Sequence, residues 1–258
     1  MRCNLDDGWY AAILGDIDIA YWKSAASSLG RLIRRSPREF ARDVLTAGVR
    51  AEQLMTSSPY RDLFEAFPGS DGLSVPMGDV TFRPNNLDPY EQYALGVMAK
   101  LIQPRRVFEI GTFDGATTLL IARCAPDAEI LTLDLPPESA AVATLTAEAA
   151  NIEAGEVGVK FRDSPEAARI TQLYGDSRTF DFTPWHGSVD LVVVDGGHEY
   201  DVAASDTRSA HRLLTRGGAI VWDDYMPYWP GVVQAVEESN LAVFHLARTD
   251  LAVYRSTA

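Results

Sequence analysis

The stretch Val107-Phe108-Glu109-Ile110-Gly111-Thr112-Phe113-Asp114-Gly115 decides the fold of this 258-residue chain. Its apolar start predicts a short strand over 106–110, and the residues after it predict a helix over 115–123. A glycine directly after a strand lets backbone approach a ligand closely. The helix N-terminus that follows presents free N–H groups. Twenty-three residues after Gly111, a second predicted strand, 129–134, ends at Asp134. A carboxylate there can accept both hydroxyls of a ribose.

Outward from this turn, helices and strands alternate. Asp88, Pro89 and Glu91 combine an N-cap, a proline at the first helical position and a glutamate at the third, which predicts a helix to about residue 102. Strands are predicted at 170–174, 189–194 and 219–222. The second of these is a continuous apolar run, as expected of a strand buried on both faces. Helices are predicted at 138–154, at 199–215, stopping at Gly217-Gly218, and at 230–239. Segments 241–246 and 251–254 close the sheet as a hairpin turning at Arg248-Thr249-Asp250. Strands separated by helices imply a doubly wound, Rossmann-like α/β fold. The expected sheet has seven strands, mainly parallel, with a C-terminal antiparallel hairpin. Residues 86–258 form this domain. Residues 1–85 form a mainly helical N-terminal extension, either a lid or an oligomer contact, and a homo-oligomer is expected. Residues 66–84 are rich in turn formers and read as a connector or a loop over the site.

Composition narrows the function. The chain is 47% hydrophobic and 23% charged, with a net charge of −13. Residues 1–85 carry 10 basic and 11 acidic groups, and the remainder carries 13 and 25. Such an acidic surface repels phosphate backbones, so nucleic acid is not expected as a partner. No apolar run approaches the roughly 18–20 residues of a membrane span, and the N-terminus lacks a signal-peptide core. A cytoplasmic protein with no membrane partner is expected. Cys3 and Cys124 are the only cysteines, and no Cys/His spacing suggests zinc. Arg31, Arg34, Arg35, Arg38 and Arg42 mark either an anion-binding face or a solvated face with local ion pairs.

Two further strand ends carry acids. One reads Val192-Val193-Val194-Asp195-Gly196-Gly197-His198, and the other Val221-Trp222-Asp223-Asp224-Tyr225. In a parallel sheet, strand C-termini converge on the ligand crevice. Three carboxylates gathered there repel one another unless protons or a cation intervene. An oxygen-only cluster points to Mg²⁺ or another hard divalent cation. His198, three residues past Asp195, is a candidate general base. Tyr225, Tyr228 and Trp229 would either wall an acceptor site or seal the end of the sheet.

The glycine turn bears on the cofactor. A nicotinamide fingerprint is Gly-x-Gly-x-x-Gly, whereas here residue 113 is Phe and the spacing is Gly111-x-x-x-Gly115. Glu109 adds an anion that suits a cationic ligand better than a pyrophosphate. Together, Glu109 to Gly115, Asp134, Gly175-Asp176-Ser177, Asp195 to Tyr200 and Asp223-Asp224 resemble a class I S-adenosylmethionine-dependent methyltransferase. Within that class the set is most similar to metal-dependent O-methyltransferases of the catechol and macrolide-sugar types. The resemblance spans about residues 86–258.

It implies that Glu109, Gly111, Thr112 and Gly115 line the amino-acid and ribose part of S-adenosyl-L-methionine. By the same resemblance Asp134 holds the ribose hydroxyls, and Asp176 with Ser177 contacts the adenine edge. Asp195 borders the cofactor and, with Asp223 and Asp224, binds Mg²⁺. His198 acts as the base on a hydroxyl of a small-molecule acceptor. Catechol-type enzymes usually carry Asn where this chain has Asp224. Simpler roles stand beside these: Asp134 as a helix cap, Asp176 as a turn former, Asp223-Asp224 as solvated loop acids, and His198 as the residue before a helix. Two other functions on the same sheet are a nicotinamide-dependent oxidoreductase and a non-catalytic cofactor-binding protein.

Overall fold

Residues 56–77, 86–136 and 156–257 are described by the computed structural model of the chain. In chain order their elements are β1 (Tyr60–Arg61), α1 (Leu63–Ala66), α2 (Pro89–Ile102), β2 (Arg106–Ile110), α3 (Ala116–Cys124), β3 (Glu129–Asp134), α4 (Val159–Arg162), β4 (Ile170–Tyr174), β5 (Val189–Val194), α5 (Tyr200–Leu213), β6 (Leu214–Trp222), α6 (Pro230–Glu238), β7 (Phe244–Leu246) and β8 (Ala252–Arg255). The predicted helix at 138–154 and the arginines of 31–42 lie outside the described residues.

The strands form one sheet in the order β1-β7-β8-β6-β5-β2-β3-β4. The pairs from β6 through β4 are parallel, while β8 runs antiparallel to both β6 and β7. This is the expected doubly wound α/β sheet with its closing hairpin. One strand is additional: Tyr60–Arg61 pairs in parallel with β7, so the segment read as part of the N-terminal extension reaches the sheet edge.

Strand alternation sorts the core into two layers. Val107, Ile130, Leu191, Val193, Ala219 and Val221 join a cluster with Leu95 and Met98 of α2 and Leu120 and Ile121 of α3. Phe108, Ile110, Leu131, Leu133, Val192, Val194, Ile220 and Trp222 join another with Leu213 of α5 and Val232 and Val236 of α6. Each buried Val, Leu, Ile, Phe or Met side chain among them stabilises the fold by about 1.5–3 kcal/mol. The indole N–H of Trp222 donates to Thr207 Oγ1 at 3.0 Å, so its one polar atom is satisfied inside the core.

Helix α2 starts as its sequence dictates. Asp88 accepts from the backbone of Tyr90 and Glu91, and Glu91 accepts in return from the N–H of Asp88. Strand β6 departs from expectation by beginning at Leu214 rather than Ala219. The glycines read as a helix stop lie inside the strand instead. Gly217 has φ +81°, and a Cβ on Gly218 would lie 2.8 Å from the Asp190 carbonyl. Their lack of a side chain permits a kink and a close strand contact, and the helix ends earlier, at Leu213.

The register sets up the site. Ile110 pairs with Val194, and Val194 with Trp222. The next residues, Gly111, Asp195 and Asp223, therefore leave three adjacent strands at one level. Asp195 N–H donates to Ile110 O at 2.8 Å, and Asp223 N–H to Val194 O at 3.0 Å. Gly111 has φ +100°, and a Cβ there would stand 1.7 Å from the Asp195 carbonyl oxygen. No L side chain fits such a contact without moving the strand. Gly111→Ala is expected to destabilise the protein by about 4 kcal/mol or more in denaturant unfolding. Gly187, at φ +63° with nothing within 4 Å of where a Cβ would stand, is the control, and its Ala variant should cost about 1–2 kcal/mol.

Candidate active site

Asp195, Asp223 and Asp224 form one group, each offering a carboxylate oxygen within 4.8 Å of the others. Asp195 ends the run of β5 and Asp223 that of β6. Asp224 follows in left-handed backbone, φ +58°, which turns its side chain back toward the cluster. All three are half-buried. Burial, then the charge of Asp224, pushes the Asp195 carboxyl well above the usual range. Burial, then Asp195, does the same to Asp223. Adjacent buried acids cannot all ionise unaided, so the cluster attracts either protons or a cation. Oxygen donors alone at this spacing suit a hard divalent cation.

His198 joins the group. Its Nε2 lies 2.6 Å from Asp224 Oδ2, and its ring stacks on Trp229 with centroids 4.0 Å apart at 17°. A Cβ on Gly231 would meet the His198 carbonyl at 2.4 Å, so the start of α6 lies against the histidine. Residues 195–198 and 222–224, with Val232, line one small cavity. The aromatics after Asp224 differ in burial. Tyr225 is fully buried and seals the sheet end, whereas Tyr228 is 70% exposed and stands edge-on to Trp229 at 4.8 Å.

Beside the acids lies the glycine turn. Glu109 is fully buried. Its Oε2 accepts from the hydroxyls of Thr118 and of Thr132, the latter at 2.5 Å. Its Oε1 has no partner. Burial pushes its carboxyl up to about 7. A buried oxygen without a donor is costly, and a cationic ligand at this turn would relieve it. This fits the ammonium and sulfonium charges of S-adenosylmethionine better than a pyrophosphate.

Asp134 braces the turn. Its Oδ2 accepts from Thr112 N–H at 3.0 Å and Phe113 N–H at 2.8 Å, and its Oδ1 from Leu135 N–H at 2.7 Å. A carboxylate offers about four lone pairs, so one acceptor position remains for a ligand hydroxyl. The Thr112 side chain points inward, its hydroxyl 2.7 Å from that of Thr132. Gly115 opens α3 at φ +83°, with the Phe161 ring 2.5 Å from where a Cβ would be. Packing thus explains that glycine directly.

The loop after β4 sits beside Asp134, since Gly175 N–H donates to the Asp134 carbonyl at 2.9 Å. Asp176 is held by Arg178, whose Nη2 lies 2.6 Å from its Oδ2, and this ion pair lowers its pKa. Ser177 faces Asp206 of α5, a fully buried acid that burial raises to about 6 while the serine acts against it. The predicted residues therefore gather as one band along the strand ends. Asp206 and Glu91 were not read from the sequence as part of the site. Asp206 is six residues past Tyr200 on an amphipathic helix, and its inward phase was the available signal.

Residues 108–225 match the family model of a methyltransferase domain. A catechol O-methyltransferase of Mycobacterium tuberculosis is 34% identical over 131 residues, which cover 50% of this chain and 52% of that protein. Caffeoyl-CoA O-methyltransferase 2 of Petunia hybrida is 27% identical over 148 residues, 57% of this chain and 56% of the relative. The chain spans about half the length of the curated relatives it matches. Among solved structures, a Podospora anserina methyltransferase bound to S-adenosylhomocysteine has a TM-score of 0.51 at 20% identity, covering 86% of this chain and 97% of that one.

The doubly wound sheet is that of the solved methyltransferase, and the matched segment is similar to a methyltransferase domain. The resemblance to O-methyltransferases read from the motifs agrees with the curated relatives, which are O-methyltransferases. No described helix is long and apolar enough to cross a membrane.

The buried acids are expected to make stability fall with rising pH. Glu109 and Glu91 are each raised by burial to about 7, so the folded state holds their protons more tightly than the unfolded state does. The resulting stabilisation is complete below the ordinary glutamate value and is lost as pH rises through about 7. Thermal melts without added metal should give a higher Tm at pH 5 than at pH 8. Glu109→Gln should flatten that slope, and a Tm that rises toward pH 8 would contradict the assignment.

Proposed function

We propose that the protein is an S-adenosylmethionine-dependent O-methyltransferase acting on a hydroxyl of a small molecule with a second oxygen adjacent, such as a catechol, another vicinal diol or a natural-product sugar. Asp195, Asp223 and Asp224 would hold Mg²⁺ or another hard divalent cation. Glu109, the Gly111 turn and Asp134 would hold the cofactor. The carrying observation is the three-carboxylate group one strand away from a glycine turn with an orphaned buried acid oxygen. The family match and the catechol and caffeoyl-CoA O-methyltransferase relatives support the same reading.

When bound, the cofactor supplies a sulfonium methyl group open to in-line attack, and the cation supplies charge stabilisation to the attacking oxygen. The protein's part is positioning and proton handling. Glu109 would offer its free oxygen to the cofactor's ammonium group, and the remaining acceptor position of Asp134 would take a hydroxyl. The His198–Asp224 pair takes up the acceptor proton, since an imidazolium gains from a carboxylate 2.6 Å away. Trp229 fixes the imidazole plane by stacking, and Tyr228 offers an exposed aromatic face for the acceptor. Such alignment lowers the barrier by several kcal/mol, up to about 7–11 in the best intramolecular cases. The nicotinamide alternative is disfavoured by the side chain of Phe113, which stands where that fingerprint has a glycine for close approach to a pyrophosphate.

Release of S-adenosylhomocysteine against a panel of catechols and sugar diols tests this. Turnover should require Mg²⁺ and stop with a chelator. Asp223→Asn should lose activity, and His198→Gln should lower kcat by about 10²–10⁴-fold. Full turnover in chelator would refute the metal assignment. Stabilisation by NAD(H) with none by S-adenosylhomocysteine would refute the cofactor.

A further inference from the structure

Glu91 is the third helical residue of α2 and only 7% exposed. A capping-box glutamate ordinarily serves its own helix end alone. Here one oxygen does so: Oε2 accepts from Asp88 N–H at 2.8 Å. The other, Oε1, accepts from the N–H of Asp250, 159 residues away in sequence, at 2.7 Å. The carbonyl of that same Asp250 accepts from Tyr225 N–H at 2.8 Å. Tyr225 directly follows Asp224, whose backbone is left-handed at φ +58°. A single buried carboxylate therefore ties the start of α2, through one residue of the β7–β8 turn, to the main chain that carries the acidic pair.

The rest of Tyr225 is also anchored. Its hydroxyl donates to Ser58 Oγ at 2.8 Å, and its ring stands edge-on to His245 at 5.3 Å. These contacts hold the side chain, while Asp250 holds the backbone N–H. A left-handed aspartate costs conformational energy and persists where neighbouring structure enforces it. The Glu91–Asp250–Tyr225 chain is that enforcement.

We infer that Glu91 is a positioning residue which fixes the Asp223–Asp224 turn and thereby sets the affinity of the acidic cluster for a divalent cation. The inference rests on the metal reading given above. Groups that orient metal ligands from behind typically change metal affinity by about 10–100-fold when replaced. Glu91→Gln keeps the shape but turns an amide N–H₂ toward one of two backbone donors. Whichever oxygen is lost, one N–H is left facing a donor.

Mg²⁺ binding measured by titration calorimetry on the full chain, alongside S-adenosylhomocysteine binding and Tm, tests the inference. The expected result for Glu91→Gln is a Mg²⁺ dissociation constant raised about tenfold or more, with S-adenosylhomocysteine affinity within about twofold of wild type. Asp88→Ala removes the helix cap but leaves the Glu91–Asp250 bond, so it should lower Tm and leave Mg²⁺ affinity unchanged. Glu91→Asp, which keeps the charge but shortens the reach, should weaken Mg²⁺ as Glu91→Gln does, and it provides the measurement if the glutamine variant does not fold. Unchanged Mg²⁺ affinity in the Glu91 variants, with Tm lowered, would reduce Glu91 to a cap and overturn the inference. Equal losses for Mg²⁺ in Asp88→Ala would do the same. A wild-type protein that takes up no divalent cation would instead refute the metal reading itself.

Discussion

Mutual repulsion among half-buried carboxylates is the constraint around which this crevice is arranged. Two unit charges 4 Å apart interact by about 4 kcal/mol at the effective dielectric of a protein surface. Asp195, Asp223 and Asp224 lie within 4.8 Å through their oxygens, and a whole domain is typically stable by only about 5–15 kcal/mol. Such a group persists when protons or a cation share it. Its cause is register: parallel strands end together, so the residues after Val194 and Trp222 arrive side by side. Backbone pairing, with Asp195 N–H on Ile110 O and Asp223 N–H on Val194 O, leaves the acids no freedom to separate along the strands.

The surroundings add negative charge instead of relieving it. Glu109 and Glu91 both raise the Asp195 carboxyl further, and Glu109 keeps one oxygen without a donor. Surplus anionic charge around a crevice suits cationic occupants. A divalent ion with a sulfonium-bearing cofactor is such a pair. The nicotinamide cofactors bring a pyrophosphate, which the same field would repel.

Much of this was legible in the sequence because short-range rules coincided with the tertiary outcome. The run Val189–Val194 is apolar nearly throughout, as a strand covered on both faces must be, and the Asp88–Glu91 capping box opens α2 where it should. The acids were legible through topology alone: once strands are parallel, their last residues share an edge. What stayed hidden depended on contacts between distant segments. Tyr60–Arg61 is too short to show any periodicity, and it becomes a strand only because β7 offers it an edge. Gly217-Gly218 carries the signature of a helix end, yet the Asp190 carbonyl claims the space and turns the pair into a strand kink. Glu91 looked complete as a cap, since nothing local announces that its second oxygen meets Asp250.

The pairing of His198 with Asp224 bears on the departure of Asp224 from the asparagine of the catechol-type pattern. With Oδ2 engaged by His198 at 2.6 Å, Asp224 retains its other oxygen for the acidic cluster. An asparagine there offers one oxygen and one N–H₂ group. It must then either give its oxygen to the cluster and meet the imidazole with a donor, or the reverse. Only a carboxylate serves both sides with acceptors and also stabilises an imidazolium, at roughly twice the strength of a neutral hydrogen bond. The histidine three residues past Asp195 and the second aspartate of the pair are therefore coupled choices. A chain that draws on a histidine at this place gains from the extra carboxylate, and a chain without it has no such use for the added charge.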